Sequence, residues 1–288
     1  MAVNKNHILV PVDFSDQSLI ALRQSYNLAR LTKADLTIVN VIEQTFHFPF
    51  FSVKEDKAIE KKIQKALEKL AEETSKEAGV VVNSLVLKGK VYEEIQKAGK
   101  KLKVSFVVMG TNGSVGLKKF IGSNALRVVR EATFPVITIK GKKHRTGCKT
   151  IVLPLDLTKE TKEKVSKAIE IANLFGSSIN LVSVINSDDE FIVNKLKRQM
   201  NQVHEFISQH NVPCVVEFLH GGDIEEGTVE YAKKIKADLI MIMTQEEAWT
   251  DIMFISSSAQ KIINESEIPV LSIRPKIKKD NTASVFQY

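Results

Sequence analysis

The chain has 288 residues, of which 43% are hydrophobic and 26% charged, a balance typical of a globular protein with room for two domains. No run reaches the roughly 20 apolar residues of a membrane-spanning helix, and the first residues contain no apolar segment typical of a signal peptide. The two cysteines suit a reducing compartment, so we expect a cytoplasmic protein without a disulfide framework.

Charge is distributed unevenly along the chain. Residues 1–150 contain 26 Lys and Arg against 14 Asp and Glu, and the remaining residues contain 15 against 20. A basic half can attract nucleotide phosphates or nucleic acid, but the lysines of 54–77 alternate with glutamates at helical spacing and indicate an exposed helix face. The basic cluster at 140–149 has no interleaved aromatic residues, so a nucleic-acid site is not expected.

Apolar and amphipathic segments alternate along the first half. They predict strands near 7–12, 35–41, 81–87, 104–109 and 135–139, and helices near 16–32, 55–78, 91–101 and 123–131. Such an alternation predicts an α/β fold with a parallel sheet that is covered on both faces. An aromatic loop follows the second strand and is expected to pack over helix 55–78, with a lid or partner surface as the alternative: Phe46, Phe48, Phe50 and Phe51.

The second half repeats the first. The segment Ile8–Ser15 matches Ile151–Thr158 without gaps, and Phe134–Ile139 matches Ile268–Ile273. A repeat of this length indicates a tandem duplication of a whole domain. We predict one domain over 1–142, a second over 149–275, and a polar tail over 276–288.

A glycine-rich loop from Gly110 to Asn124 joins the fourth predicted strand to the helix that follows. Gly110, Gly113 and Gly122 would let bare backbone N–H groups approach a phosphate. Ser123 could cap the following helix and also donate its hydroxyl to a phosphate, although capping alone would explain it.

The second half provides an internal comparison for this loop. Met243, Glu246 and Ser256 stand where the first half has its three glycines, and the acidic residue would repel a phosphate. A feature that only one half has is better explained by a ligand than by architecture. The glycines therefore carry more functional signal than Asp13, which persists as Asp156.

Open α/β sheets bind ligands beyond the carboxyl ends of their strands, so three strand ends should meet at one crevice. Asp13, after the first strand, could accept a hydrogen bond from a ribose hydroxyl or could only cap the helix near Ser15. The backbone of Val41, on the second strand, could pair with a purine edge. Gly110 ends the fourth strand. The sequence contains no P-loop, no metal-ligand spacing, no nucleophile triad and no evident general base for hydrolysis.

The segment Ile8–Ser15, the Gly-Thr-Asn-Gly to Gly-Ser-Asn loop and Phe134–Ile139 together resemble the universal stress protein family in its tandem-domain form. Gly113 and Gly122 are separated by eight residues, one fewer than in the nucleotide-binding signature of that family. The resemblance implies two flavodoxin-like (Rossmann-like) domains with strand order 3-2-1-4-5. It also implies that the last strands, 135–139 and 269–273, pair antiparallel.

The resemblance further implies ATP, with or without Mg²⁺, in the first domain. The residues expected to contact the nucleotide are Pro11, Asp13, Val41, Met109, Gly110, Asn112, Gly113, Gly122, Ser123 and Asn124. The leading hypothesis is a stress-response ATP-binding protein whose second domain is structural. A docking protein without a nucleotide and a slow ATPase are the alternatives, and a homodimer remains open.

Overall fold

The computed structural model describes residues 6–43, 53–111, 121–142, 146–155, 161–244 and 255–275. Within these ranges the first half consists of β1 (His7–Pro11), α1 (Asp16–Thr32), β2 (Asp35–Ile42), α2 (Val53–Ala78), β3 (Val82–Lys88), α3 (Val91–Leu102), β4 (Phe106–Gly110), α4 (Ser123–Glu131) and β5 (Val136–Ile139). The second half consists of β6 (Thr150–Pro154), α5 (Thr161–Phe175), β7 (Ser178–Ile185), α6 (Glu190–Gln209), β8 (Cys214–His220), α7 (Ile224–Lys234), β9 (Leu239–Met243), α8 (Ser257–Glu265) and β10 (Val270–Ile273).

The strands form one ten-stranded sheet with the order β3-β2-β1-β4-β5-β10-β9-β6-β7-β8. Pairing is parallel within each half, and each half has the order 3-2-1-4-5, which confirms the predicted fold class. The two halves meet where β5 and β10 pair antiparallel, with Val270 opposite Thr138. Each half therefore covers an edge strand of the other, and neither of these edges is exposed to solvent.

The core lies on both faces of this sheet because the central strands are apolar at nearly every position. β4 and β9 are buried almost throughout, as expected for parallel strands with helices on both sides. One apolar cluster covers each face, and each cluster includes residues from both halves. On one face the ring of Phe106 in β4 lies 5.6 Å, centroid to centroid, from that of Phe175 in α5.

Element boundaries in the first half agree with the sequence to within one residue, except at the starts of α2 and β4. The predictions placed these starts at residues 55 and 104, but α2 begins at Val53 and β4 at Phe106. Lys103 ends α3 in the left-handed conformation, and Val104 N–H still donates to the Gly99 carbonyl. Val104, which apolar periodicity assigned to the strand, therefore belongs to the C-terminal cap of α3.

Several sequence predictions fall outside the described residues. These are the packing of the aromatic loop (Phe46, Phe48, Phe50 and Phe51), the positions of Asn112 and Gly113, and the tail over 276–288. Among the helices of the described ranges, none has the length and apolarity needed to cross a membrane.

Candidate functional site

A crevice of about 390 Å³ opens at the carboxyl ends of β1, β2 and β4. β1 lies between β2 and β4 in the sheet. The chain leaves β1 toward α1 on one face and β4 toward α4 on the other, so a gap remains between the loops that follow these two strands. The crevice is lined by these residues of the predicted set: Pro11, Asp13, Val41, Met109, Gly110, Gly122, Ser123 and Asn124.

Asp13 lies at the mouth of the crevice and also organises the start of α1. One carboxylate oxygen accepts hydrogen bonds from the Ser15 backbone N–H at 3.0 Å and from the Ser15 hydroxyl at 2.5 Å. Ser15 in turn caps α1 by accepting from Ser18 N–H. Phe14, between them, has a φ of 63°. Asp13 is therefore a turn residue before α1, but the cap of that helix is Ser15 and not Asp13. Asp13 also borders the crevice.

Gly110 ends β4 directly beneath the first turn of α1. A Cβ at this position would lie 2.9 Å from Gln17 Cγ and 3.0 Å from the Gln17 backbone carbonyl atoms. Gln17 also donates from Nε2 to the Ile139 carbonyl at 2.7 Å, which ties α1 to β5. The absence of a side chain at Gly110 is thus explained by the close approach of helix and strand, apart from any ligand.

The N-terminus of α4 faces the crevice without a side-chain cap. Gly122 is the N-cap residue, so the prediction that Ser123 caps this helix is wrong: Ser123 is the first helical residue. The Gly122 N–H donates to the Thr111 carbonyl at 2.6 Å, which holds the start of the helix against the end of β4. The N–H groups of a first helical turn have no intrahelical partners and carry the positive end of the helix dipole.

The matching region of the second half is narrower and its helix is capped. The cavity there has a volume of about 60 Å³. Ser256, in the place of Gly122, is the N-cap of α8, and its hydroxyl accepts from Ala259 N–H at 3.1 Å. The hydroxyl thus occupies one backbone N–H of α8. The corresponding N–H of α4 in the first half has no side-chain cap and faces the crevice.

Charge at the mouth of the two sites differs as well. In the second half Lys261 on α8 forms an ion pair with Asp223, the N-cap residue of α7, and this hydrogen bond raises the pKa of Lys261. The first half has two cations at these positions: Lys90, which pairs with Glu93 at 3.1 Å, and Arg127, which lies over the Tyr92 ring at 5.2 Å from its centroid. The Lys261–Asp223 pair therefore has no counterpart at these positions of the first half.

Sequence reasoning missed some residues that line the crevice, among them Val12, Asn40, Glu43 and Val91. Asn40 could have been noticed, because it is an amide inside an otherwise apolar strand end. Its Nδ2 donates to the Val12 carbonyl at 2.7 Å and so joins β2 to β1 at the base of the crevice. Glu43 accepts from Asn124 Nδ2 at 3.2 Å, a contact across 81 residues that no local pattern indicates.

The described part of the chain contains no group of three or more His, Cys, Asp or Glu side chains arranged to hold a metal ion. The described carboxylates on the crevice wall are Asp13 and Glu43. Both accept hydrogen bonds from side chains of their own domain, Asp13 from Ser15 and Glu43 from Asn124.

Comparison with known proteins agrees with this duplicated architecture. The model of the universal stress protein family matches the chain twice, over residues 5–140 and 147–274. The chain belongs to the universal stress protein family. A universal stress protein of Methanocaldococcus jannaschii is 31% identical over 143 residues, which are 47% of this chain and 82% of that protein. Universal stress protein YxiE of Bacillus subtilis is 30% identical over 146 residues, 47% of this chain and 99% of its own length.

A solved structure shares the fold of nearly the whole chain. The crystal structure of a universal stress protein from Archaeoglobus fulgidus superposes with a TM-score of 0.77 and covers 95% of this chain and 99% of its own. The sequence identity is 19%, so the likeness concerns the fold.

Proposed function

We propose that this universal stress protein is a stress-response protein that binds an adenine nucleotide, ATP, in the crevice of its first half, and that its second half is structural. The observation that carries the proposal is the N-terminus of α4. Its N-cap residue, Gly122, contributes no side-chain hydrogen bond, and the helix opens on a crevice of about 390 Å³. Such a helix start favours an anion through its N–H groups and its dipole.

The opposite wall of the crevice suits a purine. Val39, Val41 and Met109 provide apolar surface beside the ends of β2 and β4, and Val91 adds to it from the start of α3. A flat base can be buried against such side chains while backbone groups at the strand ends pair with its edge. An apolar wall on one side and a helix N-terminus on the other match the two ends of a nucleoside phosphate.

The second half is assigned a structural role because its corresponding helix is already capped. The Ser256 hydroxyl accepts the Ala259 N–H, and the cavity of about 60 Å³ falls far below the roughly 300 Å³ typical of small-molecule sites. Its strand β10 pairs with β5, so this half contributes to the shared sheet.

Mass spectrometry of nucleotide released from the purified protein, followed by calorimetric titration with ATP, tests the proposal. We expect bound adenine nucleotide or a calorimetric stoichiometry near one per chain. The released nucleotide also distinguishes stored ATP from slow hydrolysis, which would leave ADP.

GTP serves as the matched control ligand, because it carries the same phosphates but a different purine edge. Absence of binding by ATP, ADP and AMP would overturn the proposal and favour the docking alternative. A stoichiometry near two would overturn the assignment of the second half.

A further inference from the structure

Asn264 of the second half contacts the site of the first half. It lies in the last turn of α8, and its side-chain oxygen Oδ1 accepts a hydrogen bond from the backbone N–H of Ile121 at 2.8 Å. The contact joins residues 143 positions apart and is partly buried. Ile121 directly precedes Gly122, the N-cap residue of α4.

Two consecutive peptide groups thus hold the start of α4 from different sides. The Ile121 N–H is held by the second half, and the Gly122 N–H is held by the Thr111 carbonyl at the end of β4. The Ile121 side chain is 9% exposed and packs in the apolar cluster that both halves share. These anchors set the direction in which the first-turn N–H groups of α4 face the crevice.

Asn264 is itself held in place from the first half. Lys140, which follows β5, donates from its ammonium group to the Asn264 backbone carbonyl, at the C-terminal end of α8. A cation at this end of a helix is favourable. Burial lowers the pKa of Lys140, while Glu265 and Glu267 oppose that shift. Nearby, a Cβ at Gly141 would lie 2.3 Å from the Glu267 carbonyl oxygen, so the two halves are in close contact here.

The reverse contact cannot exist in the same form. Arg130 of α4 stands where α8 has Asn264, and Ile255 stands where the first half has Ile121. A guanidinium group has no hydrogen-bond acceptor, so Arg130 cannot accept from the Ile255 N–H. It donates instead to Glu131 Oε1 at 2.7 Å. The acceptor therefore exists only in the direction that supports the first site.

We infer that Asn264 is a positioning residue for the first site: the half without a binding crevice of its own orients the helix N-terminus that binds phosphate in the other half. The inference deepens the proposed function and rests on it. It assigns the second half a specific contribution to affinity through one amide oxygen, beyond its share of the sheet.

The test compares Asn264→Ala with Asn264→Asp in the full chain. Asn264→Ala removes the acceptor and is expected to weaken ATP binding about fivefold, as for one hydrogen bond in a binding site. Asn264→Asp keeps an acceptor oxygen for the Ile121 N–H, so hydrogen exchange at Ile121 should stay within about twofold of the wild-type rate. Phe175→Leu, which alters packing between the halves away from α4, is the matched control and should leave affinity unchanged.

Hydrogen exchange measured without nucleotide separates failure of this inference from failure of the proposed function. Asn264→Ala should speed exchange at Ile121 and Gly122, whether or not ATP is the ligand. The inference would be overturned if a folded Asn264→Ala variant bound ATP with the same affinity as the wild-type protein. Equally fast exchange at Ile121 in Asn264→Ala and Asn264→Asp would also overturn it, because the position of the Ile121 N–H would then not depend on the acceptor.

Discussion

Gly110 and Gly122 have different roles in the structure, although the sequence predicted the same role for both. Gly110 is required by the approach of α1, since a Cβ would meet the Gln17 backbone at 3.0 Å. Gly122 has an ordinary extended backbone, with φ −64° and ψ 150°, and any residue could adopt it. What distinguishes Gly122 is the missing cap side chain, so the two glycines make separable predictions for stability and for binding.

Gly110→Ala is expected to lower the free energy of unfolding by about 1–3 kcal/mol, because the new Cβ forces α1 away from β4. Urea unfolding followed by circular dichroism measures the loss. Gly147→Ala is the matched control: the nearest atom to its Cβ, Lys149 Cγ, lies 4.0 Å away, and we expect a change within about 0.5 kcal/mol. Equal effects of the two substitutions would contradict the packing role of Gly110.

Asp13→Ala is expected to reduce ATP affinity by less than Gly113→Val does. Asp13 holds Ser15 at the start of α1, and the matching Asp156 persists in the half whose glycines are replaced. A β-branched side chain at Gly113 would intrude on the phosphate path that the sequence predicts. Calorimetry on both folded variants gives the order, and the reverse order would show that Asp13 is the stronger ligand contact.

At the scale of elements, α4 and α8 are corresponding helices of the two halves that differ in their N-cap residue. Each has nine residues, and the N-cap backbone angles agree closely: φ −64° and ψ 150° at Gly122, φ −61° and ψ 149° at Ser256. In both halves the N-cap N–H donates to a threonine carbonyl at the end of the fourth strand, Thr111 or Thr244. The two helices therefore share their backbone geometry. The side chain of the N-cap residue is the difference that would affect the binding of an anion.

Gly122→Ser should convert the first helix start into a copy of the second. The serine fits the backbone that Ser256 already uses, so stability should rise by a few tenths of a kcal/mol, while its hydroxyl competes with phosphate for Ala125 N–H. We expect ATP affinity to fall about tenfold, the loss of one charge-assisted hydrogen bond.

Thermal unfolding and calorimetry on the same Gly122→Ser sample measure both effects. Ser256→Gly is the reciprocal control, which should cost a few tenths of a kcal/mol in stability and leave ATP binding unchanged. Undiminished affinity in Gly122→Ser would show that the α4 N-terminus does not contact phosphate.

At the scale of the molecule, the two halves share their sheet and their core. β5 and β10 pair across the junction, the Thr138 hydroxyl donates to the Val270 carbonyl at 3.3 Å, and both apolar clusters draw on both halves. About ten residues connect β5 to β6. A tether of this length gives the partner edge an effective concentration on the order of millimolar, so pairing within the chain should prevail.

Separately expressed halves, residues 1–142 and 149–275, are expected to self-associate. Each would expose its last strand, with unpaired backbone groups and the apolar surface that the other half covers. Sedimentation at several concentrations measures association, and circular dichroism establishes that each half is folded. Two folded halves that remain monomeric at high concentration would show that the shared edge contributes little to stability.

The sequence by itself determined the alternation of strands and helices, the duplication, the parallel sheet within each half and the strand ends that line the crevice. These features follow from periodicity and from the order of elements, which are local properties of the chain. Only the tertiary structure decided that Gly110 packs on Gln17, that Glu43 meets Asn124 and that Asn264 holds Ile121 from the other half. Those contacts join residues 81 to 143 positions apart, or a strand end to a helix on its flank, and no local pattern specifies which side chains meet there.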